Sequence, residues 1–100
     1  MIRGTTPKHI FKLPFDVSLI DEVRIIYAQG DTQIVVKDTA DCTLERNTIS
    51  VTLTQEDTFK FDCKQCVQLQ VRVLTKEGES IASTIKHIGV DKCLDEEVLV

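Results

Sequence analysis

Two cysteines separated by two residues, Cys63 and Cys66, have the spacing in this sequence that most resembles a chemical site. The spacing suits two ligands of a structural zinc ion or a redox dithiol. A structural zinc site needs four ligands, and the remaining cysteines, Cys42 and Cys93, are isolated in the sequence. A redox dithiol normally lies at a helix N-terminus, whereas this pair precedes a predicted strand. We therefore predict ordinary thiols and no cofactor, and a metal-binding or redox protein using Cys63 and Cys66 is the alternative.

The remaining reactive residue types form no catalytic pattern. Neither His9 nor His87 has a Ser, Cys or carboxylate partner at a spacing typical of a catalytic pair. The acidic residues are scattered, mostly in predicted turns, where such side chains are solvated or cap the backbone. The sequence has no calcium-binding loop, no glycine-rich phosphate loop and no G-x-S-x-G segment. We therefore predict that the chain is not an enzyme and has no catalytic residues.

The composition weighs against several classes of ligand. The 12 Lys and Arg against 16 Asp and Glu give a net charge of −4, without the basic cluster that nucleic acid binding needs. With no Trp and one Tyr, the aromatic platform of a carbohydrate-binding module is missing. No apolar run approaches the ~18 residues of a membrane-spanning helix, and residues 1–7 lack the apolar core of a signal peptide. We expect no nucleic acid, no membrane and a reducing cytoplasm.

The elements that must position any site are strands, because apolar residues alternate with polar ones nearly everywhere. Such alternation is typical of antiparallel sheets with one buried and one wet face. The apolar positions are Phe11, Leu13, Phe15, Val23, Ile25, Tyr27, Ile49, Val51, Leu53, Val67, Leu69, Val71 and Val73. About seven strands with frequent turns predict a single all-β domain over residues 1–100, an antiparallel immunoglobulin-like sandwich. A small barrel is the main alternative fold.

Three tight turns give the predicted strand register. They are a two-residue loop at Gly30-Asp31, a loop through Arg46-Asn47 and a three-residue loop at Lys76-Glu77-Gly78. Each loop places apolar residues mostly opposite apolar residues, as one buried face requires. The predicted pairs are Gln29 with Thr32, Tyr27 with Ile34, Ile25 with Val36, Leu44 with Ile49, Cys42 with Val51, Val73 with Ile81, Val71 with Ser83, Leu69 with Ile85 and Val67 with His87.

Three segments interrupt the alternation. Thr54, followed three residues later by an acid, predicts an N-cap and one helical turn over about 55–58, which carries the chain between the sheets. A similar short turn is expected between Asp16 and Asp21. Residues 95–100 are predicted to form a loose tail or an exposed arm.

The surface residues predicted to bind a partner lie on the outward side of the strands. Gln68, Gln70 and Arg72 form a polar row in which the arginine would anchor a partner. Ile26 and Val35 are apolar residues in the outward phase of their strands, which indicates a covered or partner-binding face. These five residues are the predicted interaction surface.

A family resemblance rests on segments spread over roughly residues 3–90. The segments are Arg3-Gly4-Thr5-Thr6, Phe11-Lys12-Leu13-Pro14-Phe15-Asp16, Leu53-Thr54-Gln55-Glu56-Asp57-Thr58-Phe59-Lys60-Phe61, Val67-Gln68-Leu69-Gln70-Val71-Arg72-Val73, the turn glycine Gly78, and Ser83. In this order they resemble small β-sandwich proteins of phages and prophages of Firmicutes, and are similar to the N-terminal domain of the phage baseplate upper protein.

The resemblance implies an immunoglobulin-like fold and a role in virion or tail assembly. It implies no active site, so it supplies no functional residues. The expected partners are other virion or tail proteins, with self-association through edge strands as a further route to assembly. The expected location is the host bacterial cytoplasm, followed by incorporation into the virion.

Overall fold

Eight β-strands and one short α-helix make up the protein in a computed structural model that describes residues 1–100. The strands are β1 (Lys8–Lys12), β2 (Ile20–Gln29), β3 (Thr32–Asp38), β4 (Cys42–Glu45), β5 (Thr48–Thr52), β6 (Val67–Thr75), β7 (Ser80–Ala82) and β8 (Lys86–Ile88). The helix α1 (Gln55–Phe59) lies between β5 and β6, and 3-10 turns at Val17–Leu19 and Thr39–Asp41 precede β2 and β4. None of these helical segments is long enough to cross a bilayer.

The strands form two antiparallel sheets, which confirms the predicted sandwich. The smaller sheet has the order β1-β5-β4, and the larger has the order β3-β2-β6-β7, with β8 also paired to β6. Both β7 and β8 pair with β6 and so form one interrupted edge strand, which explains eight strands where about seven were predicted. The order corresponds to strands B-E-D and C′-C-F-G of an immunoglobulin-like sandwich.

The core lies between the two sheets and is built from the predicted apolar stripes. Fourteen buried apolar residues form one cluster, with contributions from both sheets. The predicted stripes of β2, β5 and β6 all belong to it, and Phe11, Leu13 and Phe15 pack against it from the side. Full burial of such side chains contributes about 1.5–3 kcal/mol each, so this alternation is the main determinant of the fold.

The hairpin through Arg46-Asn47 has the predicted register. Leu44 pairs with Ile49 and Cys42 pairs with Val51. Arg46 adopts a φ of 54°, the left-handed conformation that tight hairpins require at a turn residue.

The hairpin at Gly30-Asp31 begins as predicted and then departs from the prediction. Gln29 pairs with Thr32, but a β-bulge follows, so Tyr27 pairs with Val35 and Ile26 with Val36. The extra residue is Ile34, and the predicted pairs of Tyr27 with Ile34 and Ile25 with Val36 are wrong. Residues 34–36 are all apolar, so the alternation of apolar and polar residues does not show which of them faces the core. The pattern therefore could not determine the register of β3.

The hairpin at Gly78 departs from the prediction further along the strand. Val73 pairs with Ile81 as predicted, and Gly78 has a φ of 90°. The Ser83 N–H donates to the Val71 carbonyl at 2.9 Å, while the Ser83 hydroxyl accepts from the Val71 N–H at 3.0 Å. Because this hydroxyl takes the place of a backbone carbonyl, the edge strand can shift its register after Ala82.

The shift in register overturns the two remaining pairs of that hairpin. Leu69 pairs with Lys86 instead of Ile85, and Val67 pairs with Ile88 instead of His87. Ile85 is therefore exposed in the interruption between β7 and β8.

The two predicted short turns are present, and so is the predicted N-cap at Thr54. The Thr54 hydroxyl accepts from the Asp57 N–H, and the Asp57 carboxylate accepts from the Thr54 N–H, which is a complete capping box. Asp16 caps the 3-10 turn at Val17–Leu19 by accepting from the Ser18 N–H. Helix α1 thus joins the two sheets, as the sequence predicted.

The tail over 95–100 is held by two polar contacts. The Arg3 guanidinium donates to both carboxylate oxygens of Glu96, at 2.6 and 2.7 Å. The Gln55 side chain binds the backbone of Leu99 on both its N–H and its carbonyl, at 2.8 and 2.9 Å. The segment therefore lies against α1, although its apolar side chains remain exposed.

Candidate functional site

The outward side of the larger sheet gathers four of the five residues predicted to bind a partner. Ile26 lies opposite Gln70, and Gln68 and Arg72 flank Gln70 on the same side of β6. Their inward neighbours on β2 and β6 are buried, so these side chains project away from the core. We call this surface the outer face; it consists of Arg24, Ile26, Val36, Gln68, Gln70 and Arg72.

Val35 does not belong to the outer face, and its prediction as a surface residue is wrong. Its side chain is 5% exposed and lies in the core opposite Tyr27. The bulge at Ile34 reverses the direction of the following side chains, so Val36 takes the outward position and is 44% exposed. Val36 pairs with Ile26, and the two make a small apolar patch beside the polar row.

Two arginines meet on the outer face, and the acids beside them, Glu22 and Asp38, lie next to Arg24. Arg24 and Arg72 are direct cross-strand partners. Like charges in that position destabilise a sheet. Glu22 approaches Arg24 at 3.6 Å, but both side chains are half exposed, so the pair is worth little. Ser80 lies 3.5 Å from the Arg72 guanidinium, beside a shallow depression of about 150 Å³. At this depression, a partner's carboxylate could accept hydrogen bonds from the guanidinium groups of Arg24 and Arg72.

A second surface is an open groove between the two sheets. It has a volume of about 470 Å³ and is lined by nine hydrophobic residues among 13. Phe11, Leu13 and Phe15 line one wall, and Val71 and Ile81 line the other. We call this surface the open groove. Its hydrophobic lining is exposed along one side of the sandwich and is available to an extended segment.

Cys63 and Cys66 lie in one exposed loop between α1 and β6, and both are free thiols. The buried side chain of Gln29 fixes this loop. Its amide donates to the carbonyls of Asp62 and Gln65, at 2.7 and 3.1 Å, and accepts from the Asp62 N–H at 2.8 Å. The structure brings no three His, Cys, Asp or Glu side chains together in a group that could hold a metal. The pair offers two exposed thiols, which is fewer than the four ligands of a structural zinc site.

The interior contains a small polar cluster. His9 Nδ1 and the Tyr27 hydroxyl lie 2.7 Å apart, and Tyr27 is fully buried. Burial and the N-terminal ammonium lower the pKa of His9. Burial, together with Asp41 and Asp38, raises the pKa of the Cys42 thiol to about 11. A thiol of that kind is neutral at pH 7 and is a weak nucleophile.

Sequence reasoning missed Arg24, Val36 and the open groove. The alternation did place Arg24 in the outward phase of β2, between Val23 and Ile25. Its meeting with Arg72 depends on the pairing of β2 with β6, which no turn connects. No family model, curated protein or solved structure matches this chain.

Proposed function

We propose that this chain is a non-catalytic interaction module that acts in virion or tail assembly, and that it binds a partner through the outer face. The observation that supports the proposal is the arrangement of an apolar patch, Ile26 and Val36, beside two arginines, Arg24 and Arg72. Protein interfaces combine such a desolvated apolar centre with arginine anchors. The resemblance to phage sandwich proteins supports the virion as the assembly in which this binding occurs.

The chemistry of the outer face indicates the kind of partner. A partner would place a carboxylate between Arg24 and Arg72, where it would relieve the repulsion between them. It would cover Ile26 and Val36 with an apolar side chain. Gln70 already donates to the Ser83 carbonyl at 3.0 Å, so it is held in place and forms part of the flat polar rim.

The proposal is tested in particles. Tagged chain is supplied to a lysogen whose own copy has been deleted, particles are induced and purified, and the chain is quantified by mass spectrometry. We expect the wild-type chain to co-purify at a constant ratio to the tail proteins. The double variant R24E/R72E should be reduced by about tenfold or more, because a charge-assisted hydrogen bond contributes about 1.5–3 kcal/mol.

The matched control is K64E/K76E, which makes the same charge change at two exposed positions away from the outer face. It should co-purify like the wild-type chain. Absence of the wild-type chain from particles would refute the role in virion assembly. Equal retention of R24E/R72E and the control would refute the assignment of the outer face.

A metal-binding or redox role of Cys63 and Cys66 is a second candidate function. Two features favour it: both thiols are exposed, and Gln29 holds the loop that carries them. Metal analysis of protein purified under reducing conditions tests this function. Stoichiometric zinc that is lost in Cys63→Ser and retained in Cys42→Ser would support it, and metal-free wild-type protein would refute zinc binding.

A further inference from the structure

The open groove lies along the free edge of β1, where no strand pairs with the smaller sheet on that side. β1 is the edge of the smaller sheet and β7 is the edge of the larger sheet, and both border the groove. In complete sandwiches of this order, a strand A lies beside the strand that corresponds to β1. In this chain, β1 is unpaired along the edge that borders the open groove. One further strand could pair with β1 there and extend the smaller sheet.

The backbone of β1 is oriented to accept such a strand. The Leu13 N–H donates to the Asn47 carbonyl, and the Leu53 N–H donates to the Pro7 carbonyl. Because bonding directions alternate along an antiparallel strand, the intervening residues Ile10 and Lys12 direct their N–H and carbonyl groups to the free edge. An added strand would bond to these groups and direct alternate side chains into the groove.

The charge around the groove is positive in a chain whose net charge is negative. Lys12 and Lys86 belong to the lining, which contains no acidic residue. Neither lysine takes part in an ion pair within the chain. The groove therefore suits an extended segment that combines apolar side chains with carboxylates.

The chain itself contains a segment of that composition. Residues 95–97 are Asp-Glu-Glu and residues 98–100 are Val-Leu-Val. Leu99 is 72% exposed, and Val98 and Val100 are also exposed. The Gln55 side chain bonds to the N–H and the carbonyl of Leu99, and these three apolar side chains stay exposed.

We propose that residues 95–100 of a second copy of this chain occupy the open groove and pair with the free edge of β1. Val98 and Val100 enter the groove as alternate side chains, and Leu99 covers Ile10 on the opposite side of the strand. Asp95 and Glu97 lie on the same side as Leu99, near Lys12. Each copy has one such tail and one groove, so the copies associate head to tail. This interaction is separate from the outer face and does not depend on the partner proposed for it.

The test uses two variants that are each defective in one half of the interaction. V98D/V100D disables the tail, and K12E/K86E disables the groove; both alter exposed side chains, and circular dichroism verifies their folding. Sedimentation velocity of the wild-type chain should show association that increases with concentration. Either variant alone should associate at least about 100-fold more weakly, because the tail variant loses two buried valines and the groove variant repels the acidic tail.

Mixing the variants isolates the head-to-tail geometry. K12E/K86E retains an intact tail and V98D/V100D retains an intact groove, so their mixture should form a one-to-one complex that neither forms alone. Adding D95K/E97K to Lys12→Glu should restore the self-association that Lys12→Glu weakens, because both charges of that contact are then reversed. K64E/K76E is the control and should associate like the wild-type chain.

Several results would overturn the proposal. They are a wild-type chain that stays monomeric at all concentrations, a mixture that forms no complex, and association that V98D/V100D leaves unchanged. Association abolished by Val36→Asp but not by the tail variant would assign self-association to the outer face. That result would refute the groove while leaving the partner-binding role of the outer face open to its own test.

Discussion

Replacing Asp57 with Asn should destabilise the protein by about 2–3 kcal/mol at neutral pH, a figure that follows from one ion pair. Asp57 Oδ2 lies 2.7 Å from the Lys37 ammonium, and the two side chains are 11% and 15% exposed. Breaking a buried pair costs about 3–5 kcal/mol, and breaking an exposed pair costs about 0–1 kcal/mol. This pair is largely buried, so the free-energy cost of losing it should be closer to the range for buried pairs.

The choice of Asn separates the ion pair from the helix cap. The Asp57 carboxylate also accepts from the Thr54 N–H at 2.9 Å, and the Asn carbonyl oxygen can keep that bond. Asp57→Ala loses both interactions and should cost about 1 kcal/mol more than Asp57→Asn. Lys37→Met removes the cation while keeping a long side chain. The double variant D57N/K37M should cost about 2 kcal/mol less than the sum of its two single changes.

The pH dependence provides an independent measurement. Burial alone would raise the pKa of Asp57, but the hydrogen bonds from Lys37 and Thr54 bring it below its ordinary value. A depressed carboxyl pKa stabilises the folded state above the unfolded pKa of about 4, and this stabilisation is lost as pH falls through the folded value. Urea unfolding at about pH 7 and about pH 2.5 should show a large difference between wild type and Asp57→Asn at the first pH and a small one at the second.

Two outcomes would refute this reasoning. One is an Asp57→Asn variant within about 0.5 kcal/mol of wild type at neutral pH, the range of ordinary surface changes. The other is a double variant whose cost equals the sum of its parts, because contacting residues that stabilise each other must show coupling.

Three further predictions concern other parts of the fold. The depressed pKa of His9 means that the free energy of unfolding should fall as pH decreases below about 6.5. In urea unfolding between about pH 7 and 5.5, His9→Gln should remove this fall. A fall of the same size in His9→Gln would contradict the prediction. Gly4→Ala should cost about 1–3 kcal/mol, because φ is 80° and the new Cβ would lie 2.5 Å from an aromatic carbon of α1; Gly89→Ala, which meets no atom, is its control. Cys42 should react with a disulfide reagent after both exposed loop thiols, as mass mapping would show.

The sequence predicted those parts of the fold in which alternation and turn chemistry agree. In β6, every second residue from Val67 to Val73 is apolar and buried. The turn at Arg46-Asn47 determined the register of β4 with β5. The register failed where neither source gave information: at the apolar run 34–36, and after Ala82, where a serine hydroxyl replaces a backbone carbonyl.

The candidate surfaces were predictable to different extents. Gln68, Gln70 and Arg72 lie on one strand, so the alternation alone placed them on one face. The position of Arg24 opposite Arg72 depends on long-range pairing of β2 with β6, which the sequence pattern does not encode. The open groove exists because β1 is unpaired along one edge, and the pattern of apolar and polar residues does not reveal which strand lies at an edge.

Pro14 limits how far a ladder can run along the free edge of β1. It follows the strand in the same phase as Ile10 and Lys12, whose backbone groups face that edge, and proline has no N–H with which to extend a ladder. Residues 8–13 before it could pair with an extended segment of about 20 Å. An unprotected edge strand invites open-ended aggregation. An edge bounded in this way, flanked by Lys8 and Lys12, instead favours one short acidic and apolar segment, which is the composition of residues 95–100.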